Sequence, residues 1–326
     1  MAHFSIQKKR DQYRKKGIFH TNKDLAQRVK ECLEAYTDQP ITEIVDLCVG
    51  GGGLLEPFSD DIAKYGCDIE SEFIEYTRET QKGDFRVGSI FTEPFGDKQF
   101  THIVGNYPFS IKGSGADMTS KYAGIYPYQL ANTLDSSFVL ANLKALADNG
   151  TLALISSNGL LYRGNKEALF RKYLLEKNLI EHLESIPADK HFDDTKIETT
   201  LMVLKKNRTK DTFTAHNTLD NYTAEINRHD ILANDSTYNL AVTSLAYKPT
   251  EQEHKSEAEI EAEFNAHARE VLESSLQNIE TTIKIYKVMS SIDIRQPAYY
   301  REYLERANAI ITEALGSYNE TKRSTR

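Results

Sequence analysis

The tetrad Asn106-Tyr107-Pro108-Phe109 combines residue types suited to presenting a planar amine for alkylation. An exocyclic amine on an aromatic ring is a poor nucleophile because its lone pair is delocalised into the ring. Two acceptors, the Asn106 side-chain oxygen and the Tyr107 backbone carbonyl, can take its two N–H bonds and draw the nitrogen toward tetrahedral geometry. The lone pair then points at an electrophilic methyl, and positioning with charge complementarity carries the rate without a strong base. Pro108 biases Tyr107 toward an extended backbone, which holds that carbonyl in place. Phe109 supplies a flat face on which an extruded base can stack.

A second constellation precedes it. Asp46-Leu47-Cys48-Val49 runs into four glycines, Gly50 to Gly53, and Asp68 follows 22 residues after Asp46. Glycines let a backbone turn sharply and approach a ligand closely, and an acidic residue ending the next strand can accept both hydroxyls of a ribose. This describes a nucleoside pocket. Asp46 lies ahead of the loop, in an Asp-x-x-x-Gly-x-Gly pattern unlike the Gly-x-Gly-x-x-Gly of dinucleotide sites, which favours S-adenosylmethionine over NAD.

Both motifs need a scaffold that delivers them to one edge. Residues 24–36 have helical apolar spacing (Leu25, Val29, Cys32, Leu33), with Thr21 or Asn22 as cap. A short β-rich run, 41–49, precedes the glycines, and 54–66 reads as a helix with Pro57 in its first turn. Strand and helix patterns then alternate: strands at 67–69, 85–90, 101–109, 151–157, 179–186 and 199–206, helices at 70–81, 130–147 and 165–178. Such alternation implies an α/β, doubly wound, mostly parallel seven-stranded Rossmann-like sheet. The last two strands have only 187–198 between them, so an antiparallel edge strand is expected. Residues 110–129 read as a long Gly/Ser/Tyr-rich loop, and 251–285 as a helix in a C-terminal helical tail. The expected domains are a basic arm and helix (1–36), the sheet domain (37–248) and the tail (249–326).

Composition narrows the function classes. The chain has 326 residues with a net charge of −8, the wrong sign for a protein that holds nucleic acid mainly through its own phosphate contacts. The charge is uneven: residues 1–30 carry nine basic groups against Asp11 and Asp24, whereas 251–285 carry nine glutamates against three basic groups. Cys32, Cys48 and Cys67 have no paired spacing, so neither a zinc module nor a disulfide scaffold is expected, and no metal. No apolar run approaches the length of a membrane span, so a cytoplasmic protein without membrane contact is expected.

Taken together, the motifs resemble those of the N6-adenine DNA methyltransferases, specifically the methylation subunits of type I restriction-modification systems. The 46–55 segment is similar to their Asp-Pro-x-Cys-Gly-x-Gly-Gly loop, the tetrad stands where they have Asn-Pro-Pro-Phe, and 17–29 resembles their Gly-x-Phe-x-Thr-Pro segment. The 149–206 stretch follows their late strand and helix order, and 237–242 resembles their Tyr-Asn-Leu signature ahead of a helical tail. The resemblance implies S-adenosylmethionine as cofactor, with Gly17, Phe19 and Thr21 facing its methionine part. Asp46, Cys48, Gly50 and Gly52 would form its loop, Asp68 would hold its ribose, and Ile69 would pack beside its adenine. Asn106, Tyr107, Pro108 and Phe109 would be catalytic, and Phe192 with Phe109 would enclose a flipped adenine of double-stranded DNA. It also implies a specificity subunit as partner, on which the acidic tail would dock. The alternatives are a protein glutamine methyltransferase, which uses a similar tetrad, and a non-catalytic assembly subunit. Three departures stand out: Tyr107 replaces the first proline of the tetrad, Ser89 replaces an aspartate that would bind the cofactor's adenine amine, and a large N-terminal helical domain is missing.

Overall fold

A computed structural model describes residues 21–187 and 198–247. Gly17, Phe19, Phe192 and the tail therefore lie outside the described residues. The first helix, α1 (Lys23–Tyr36), starts where expected: Asn22 caps it by accepting a hydrogen bond from the Leu25 N–H at 2.8 Å. Leu25, Ala26, Val29, Cys32 and Leu33 are its buried face.

The sheet contains β1 (Glu43–Asp46), β2 (Ala63–Asp68), β3 (Asp84–Val87), β4 (Phe100–Asn106), β5 (Leu146–Ser157), β6 (Ile180–Ile186), β7 (Thr199–Lys205), β8 (Thr212–Asn217) and β9 (Tyr222–Asn227). Their spatial order is β3-β2-β1-β4-β5-β7-β6-β8-β9. β1 to β5 pair in parallel, as the alternating pattern required. In the middle of the sheet the strands are apolar and buried on both faces, which marks a sheet covered by helices on each side. The remaining helices are α2 (Ser71–Thr80), α3 (Gly115–Tyr122), α4 (Asp135–Ala145), α5 (Asn158–Tyr162), α6 (Lys166–Glu176), α7 (Arg228–Asn234) and α8 (Val242–Leu245).

Three expectations need correction. The seven expected strands are joined by β8 and β9, a hairpin that continues the sheet beyond β6. The expected antiparallel pairing of the last two strands is present, β7 running antiparallel between β5 and β6, and the sheet ends on β9, antiparallel to β8. Residues 54–66 form no α-helix but a 3₁₀ turn at Gly53–Leu55, an irregular link and the start of β2. Pro57 cannot donate a helical hydrogen bond, while Leu54, Leu55 and Phe58 still bury their side chains without one. The 110–129 loop contains α3, capped by Ser114, which accepts from the Asp117 N–H at 3.1 Å.

The Tyr-Asn-Leu segment also acquires a structural meaning. Arg171 of α6 is fully buried and donates to the carbonyls of Leu160, Thr237 and Tyr238 at 2.7–2.8 Å. The segment is thereby laced to the α5–α6 layer, and the Leu240 N–H reaches the Leu161 carbonyl.

Candidate active site

In an open α/β sheet, ligands bind outside the carboxyl ends of the strands, where the order reverses. Here the reversal falls between β1 and β4. Asp46 ends β1, Asp68 ends β2 and Asn106 ends β4, so three sequence-derived site residues come to the same edge.

The glycine loop is held by its neighbours rather than by a helix of its own. Asp68 accepts from the Gly50 N–H at 3.0 Å and from the Glu70 N–H at 2.9 Å. On α2, Thr77 donates to the Gly50 carbonyl at 3.1 Å and Gln81 to the Gly52 carbonyl at 2.8 Å. Gly50 has φ +48° and a side chain there would meet nothing within 4 Å, so this glycine opens onto free space. Gly52, at φ +81°, has a different reason: a β-carbon would lie 2.4 Å from the Gln81 side chain, and the close approach it permits is to α2.

The two acids are both perturbed. Burial raises the Asp46 carboxyl to about 7, against the opposing hydrogen bond it accepts from the Cys48 N–H at 2.9 Å. Burial likewise pushes Asp68 above the usual carboxylate range. Past Asp68, Ile69 is 66% exposed and Val87, at the end of the neighbouring β3, is 53% exposed. Two large apolar side chains left in solvent at the ends of adjacent strands, beside a glycine that opens onto space, are what a flat apolar ligand would cover. Cys48 is partly buried next to Asp46, and burial raises its thiol far above the ordinary range, which makes it an inert lining residue. Ser89 spends its side chain locally: its hydroxyl accepts from the Phe91 N–H at 3.2 Å and caps the 3₁₀ turn Ile90–Thr92.

The tetrad is braced from behind. Tyr107 is 1% exposed; its ring stacks on Phe138 of α4 at 5.1 Å and meets the Phe109 ring edge-on at 5.7 Å. Its hydroxyl forms a 2.7 Å hydrogen bond with Ser156 on β5. The ring thus replaces the rigidity of a proline with packing. The following residue, Ser110, has φ +56°, and its N–H donates to the Asp135 carboxylate at 3.1 Å. Asp135 is buried and also accepts from Ser157 at 2.8 Å. Sequence reasoning missed Asp135 because it sat inside an expected helix from 130 to 147; the missed signal was a carboxylate among buried apolar positions. Phe109 is buried and belongs to the core cluster.

Thr21 completes the site. Its hydroxyl accepts a hydrogen bond from Asn106 Nδ2 at 3.0 Å, and its carbonyl lies 3.3 Å from where a β-carbon on Gly53 would be. The N-terminal segment, the glycine loop and the tetrad therefore meet at one point.

The fold, with its strand order and its motifs at the strand ends, defines the class: an α/β methyltransferase-type domain. The N-6 DNA methylase family model matches residues 77–264, and the chain belongs to that family. The chain is 38% identical over 117 residues to the methylase subunit of the type I restriction enzyme MpnII from Mycoplasma pneumoniae, which is 34% of this chain and 21% of that protein. With the MjaIX methylase subunit of Methanocaldococcus jannaschii it shares 23% identity over 219 residues, 59% of this chain and 38% of that one. Its matches thus span well under half the length of these curated relatives. Among solved structures, the methyltransferase subunit of a type I restriction-modification system from Streptococcus thermophilus has a similar fold, with a TM-score of 0.62, 21% identity, and coverage of 70% of this chain and 59% of that one.

Proposed function

We propose that the chain transfers a methyl group from S-adenosylmethionine to the N6 amine of an adenine flipped out of double-stranded DNA, as the modification subunit of a restriction-modification system. The observation that carries the reading is the meeting of Thr21, Gly53 and Asn106 beside the Asp68-braced loop. The family membership supports it, as do relatives named as type I methylase subunits.

The lining fits the cofactor: an open glycine, a buried acid, a partly buried acid and two exposed apolar side chains suit a ribose, a cationic sulfonium and an adenine ring. Asp68 would hold the ribose hydroxyls, Ile69 and Val87 the adenine, and Thr21 with the Asp46–Gly53 loop the remainder, with Gly17 and Phe19 implied alongside. Bound there, S-adenosylmethionine supplies an electrophilic methyl.

The chain's own residues handle the amine. With Asn106 Nδ2 given to Thr21, its Oδ1 is the amide end that can accept an N–H of the target. The Tyr107 carbonyl, fixed by Pro108 on one side and by the buried ring on the other, accepts the second. As the nitrogen gains a bond it becomes more acidic, and the two acceptors stabilise the growing positive charge on its hydrogens. Stacking of the flipped base falls to Phe109 and Phe192; with Phe109 buried, the ring has to turn outward when the base arrives. The net charge of −8 supports DNA recognition by a separate specificity subunit.

The test is methyl transfer from labelled S-adenosylmethionine to mixed-sequence duplex DNA, with and without the proteins encoded beside this one. Asn106→Ala should lower transfer by about 10²-fold or more while S-adenosylhomocysteine binding is retained. Turnover within about threefold of wild type would reject the assignment of Asn106.

A further inference from the structure

The apolar stripe of α1 does not by itself fix where the helix sits, because apolar contact is non-directional. A second stripe does. Arg28, Cys32 and Tyr36, spaced by four residues, form one line along the helix, and each meets a polar group on β6 or β8. Arg28 holds the buried Glu184 with two hydrogen bonds, Nε to Oε1 at 2.8 Å and Nη2 to Oε2 at 2.5 Å. The Cys32 thiol lies 3.9 Å from Glu184 Oε2. The Tyr36 ring stacks on His182 at 4.7 Å and its hydroxyl bonds Thr214 at 3.1 Å. One residue on, Thr37 bonds His102 of β4 at 2.9 Å.

The ligand atoms of Cys32, His182 and Glu184 lie within 4.8 Å of one another, a spacing that also suits a metal ion. Arg28 decides against that use, since the guanidinium takes both Glu184 oxygens and supplies the positive charge itself. A bidentate pair of this kind sets both the rotation and the axial position of the helix that carries it. Two turns upstream of Arg28 lies Thr21, whose hydroxyl receives the Asn106 amide.

We propose that α1 is a positioning arm for the catalytic asparagine: the Arg28–Glu184 clamp and the Tyr36–His182 stack fix the helix so that Thr21 holds Asn106 with its oxygen toward the target amine. The proposal rests on the methyltransferase reading and adds Thr21, Arg28 and Glu184 as positioning residues. Loss of the Thr21 hydroxyl removes one hold on the amide and lets its oxygen shift from the line to the target amine. Misplacement of about 1 Å is enough to cost a reaction up to 10²-fold.

The experiment uses the full chain and reads turnover and cofactor affinity separately. Thr21→Val keeps the branched shape and removes the hydroxyl. It should lower kcat by about tenfold, with the Kd for S-adenosylhomocysteine within about twofold. Arg28→Ala and Glu184→Gln should lower kcat in the same way, and Thr21→Val combined with Arg28→Ala should be no worse than the more damaging single change. Thr21→Val altering Kd alone, Arg28→Ala lowering the melting temperature at unchanged kcat, or kcat losses that multiply would each overturn the proposal. If Arg28→Ala does not fold, Arg28→Lys keeps the charge without the fork; a kcat between those of wild type and Thr21→Val is expected, and a wild-type kcat overturns it. If wild type transfers no methyl group, the enzymatic reading fails on its own. The clamp is then read from hydrogen exchange at the Leu25 amide, which Asn22 holds: Arg28→Lys should speed it by about tenfold relative to β5 amides, and an unchanged rate overturns the clamp.

Discussion

Tyr107→Pro, which would restore the tetrad of the resembled family, should destabilise this chain rather than improve it. The ring is 1% exposed, stacked on Phe138 and edge-on to Phe109, and proline fills only part of that space. Loss of a buried aromatic ring typically costs about 3–5 kcal/mol when alanine replaces it, and the retained proline carbons reduce this to roughly 2–4. The substitution also strands the buried Ser156 hydroxyl, which now bonds Tyr107 at 2.7 Å, for about 1–2 kcal/mol more. The total of about 3–6 kcal/mol is a large part of the stability of an ordinary domain, roughly 5–15 kcal/mol. Urea unfolding should show the midpoint moving down with an unchanged slope. Tyr107→Phe separates the parts: it keeps the ring and loses only the hydrogen bond, so about 1–2 kcal/mol is expected. If Tyr107→Pro lies within about 1 kcal/mol of wild type, or Tyr107→Phe is as damaging as Tyr107→Pro, the idea that packing replaces proline rigidity is wrong.

Asp68→Ala should weaken S-adenosylhomocysteine binding by roughly 1.5–3 kcal/mol in calorimetry, since both the ribose acceptor and the Gly50 brace are lost; an unchanged affinity would reduce Asp68 to a strand-end residue. Ser89→Asp should keep the cap on the Phe91 N–H, because aspartate caps as well as serine, and should tighten cofactor binding; weaker binding in a stable variant would show that the adenine end is arranged differently. Burial alone would raise Glu184, but the hydrogen bonds and charges of Arg28 and His182 prevail and hold it down at about 2 from 4.5. That depressed carboxyl contributes stability which is full above about 4.5 and is lost as pH falls toward 2, about 3 kcal/mol in all at 1.36 kcal/mol per unit. Glu184→Gln should therefore flatten the acid limb of an unfolding profile between those values, and a limb as steep as that of wild type would contradict the clamp.

The central sheet was legible because its strands are apolar runs bounded by helical patterns, and the motifs mark their ends. The glycine loop, Asp68 and the tetrad could be found for the same reason: their chemistry is local in sequence. The 54–62 link was misread because Leu54, Leu55 and Phe58 imitate a helical face, and the Pro57 signal was assigned to a first turn that does not exist. β8 and β9 do alternate, but with few large apolar side chains to mark them: β8 buries Phe213, Ala215 and Asn217, while β9 exposes every second residue and fully buries none. What no local pattern could reveal was pairing at a distance. Asp135 behind the tetrad and Glu184 beneath Arg28 are ordinary acidic residues until the fold brings their partners to them.

That distance has a consequence for how the protein comes into being. Thr21 and Asn106 are 85 residues apart, whereas the clamp that seats α1 joins Arg28 to a residue 156 positions later. A chain leaving the ribosome presents its basic arm, glycine loop and tetrad well before β6 exists. Contacts between distant residues form late because closing long loops costs entropy before it is rewarded. By this order the half-made protein holds the glycine loop and the tetrad but no oriented asparagine, and competence arrives with the second half of the sheet. Truncated products of interrupted synthesis, ending before Glu184, are accordingly expected to lack a working site even where the early strands have folded.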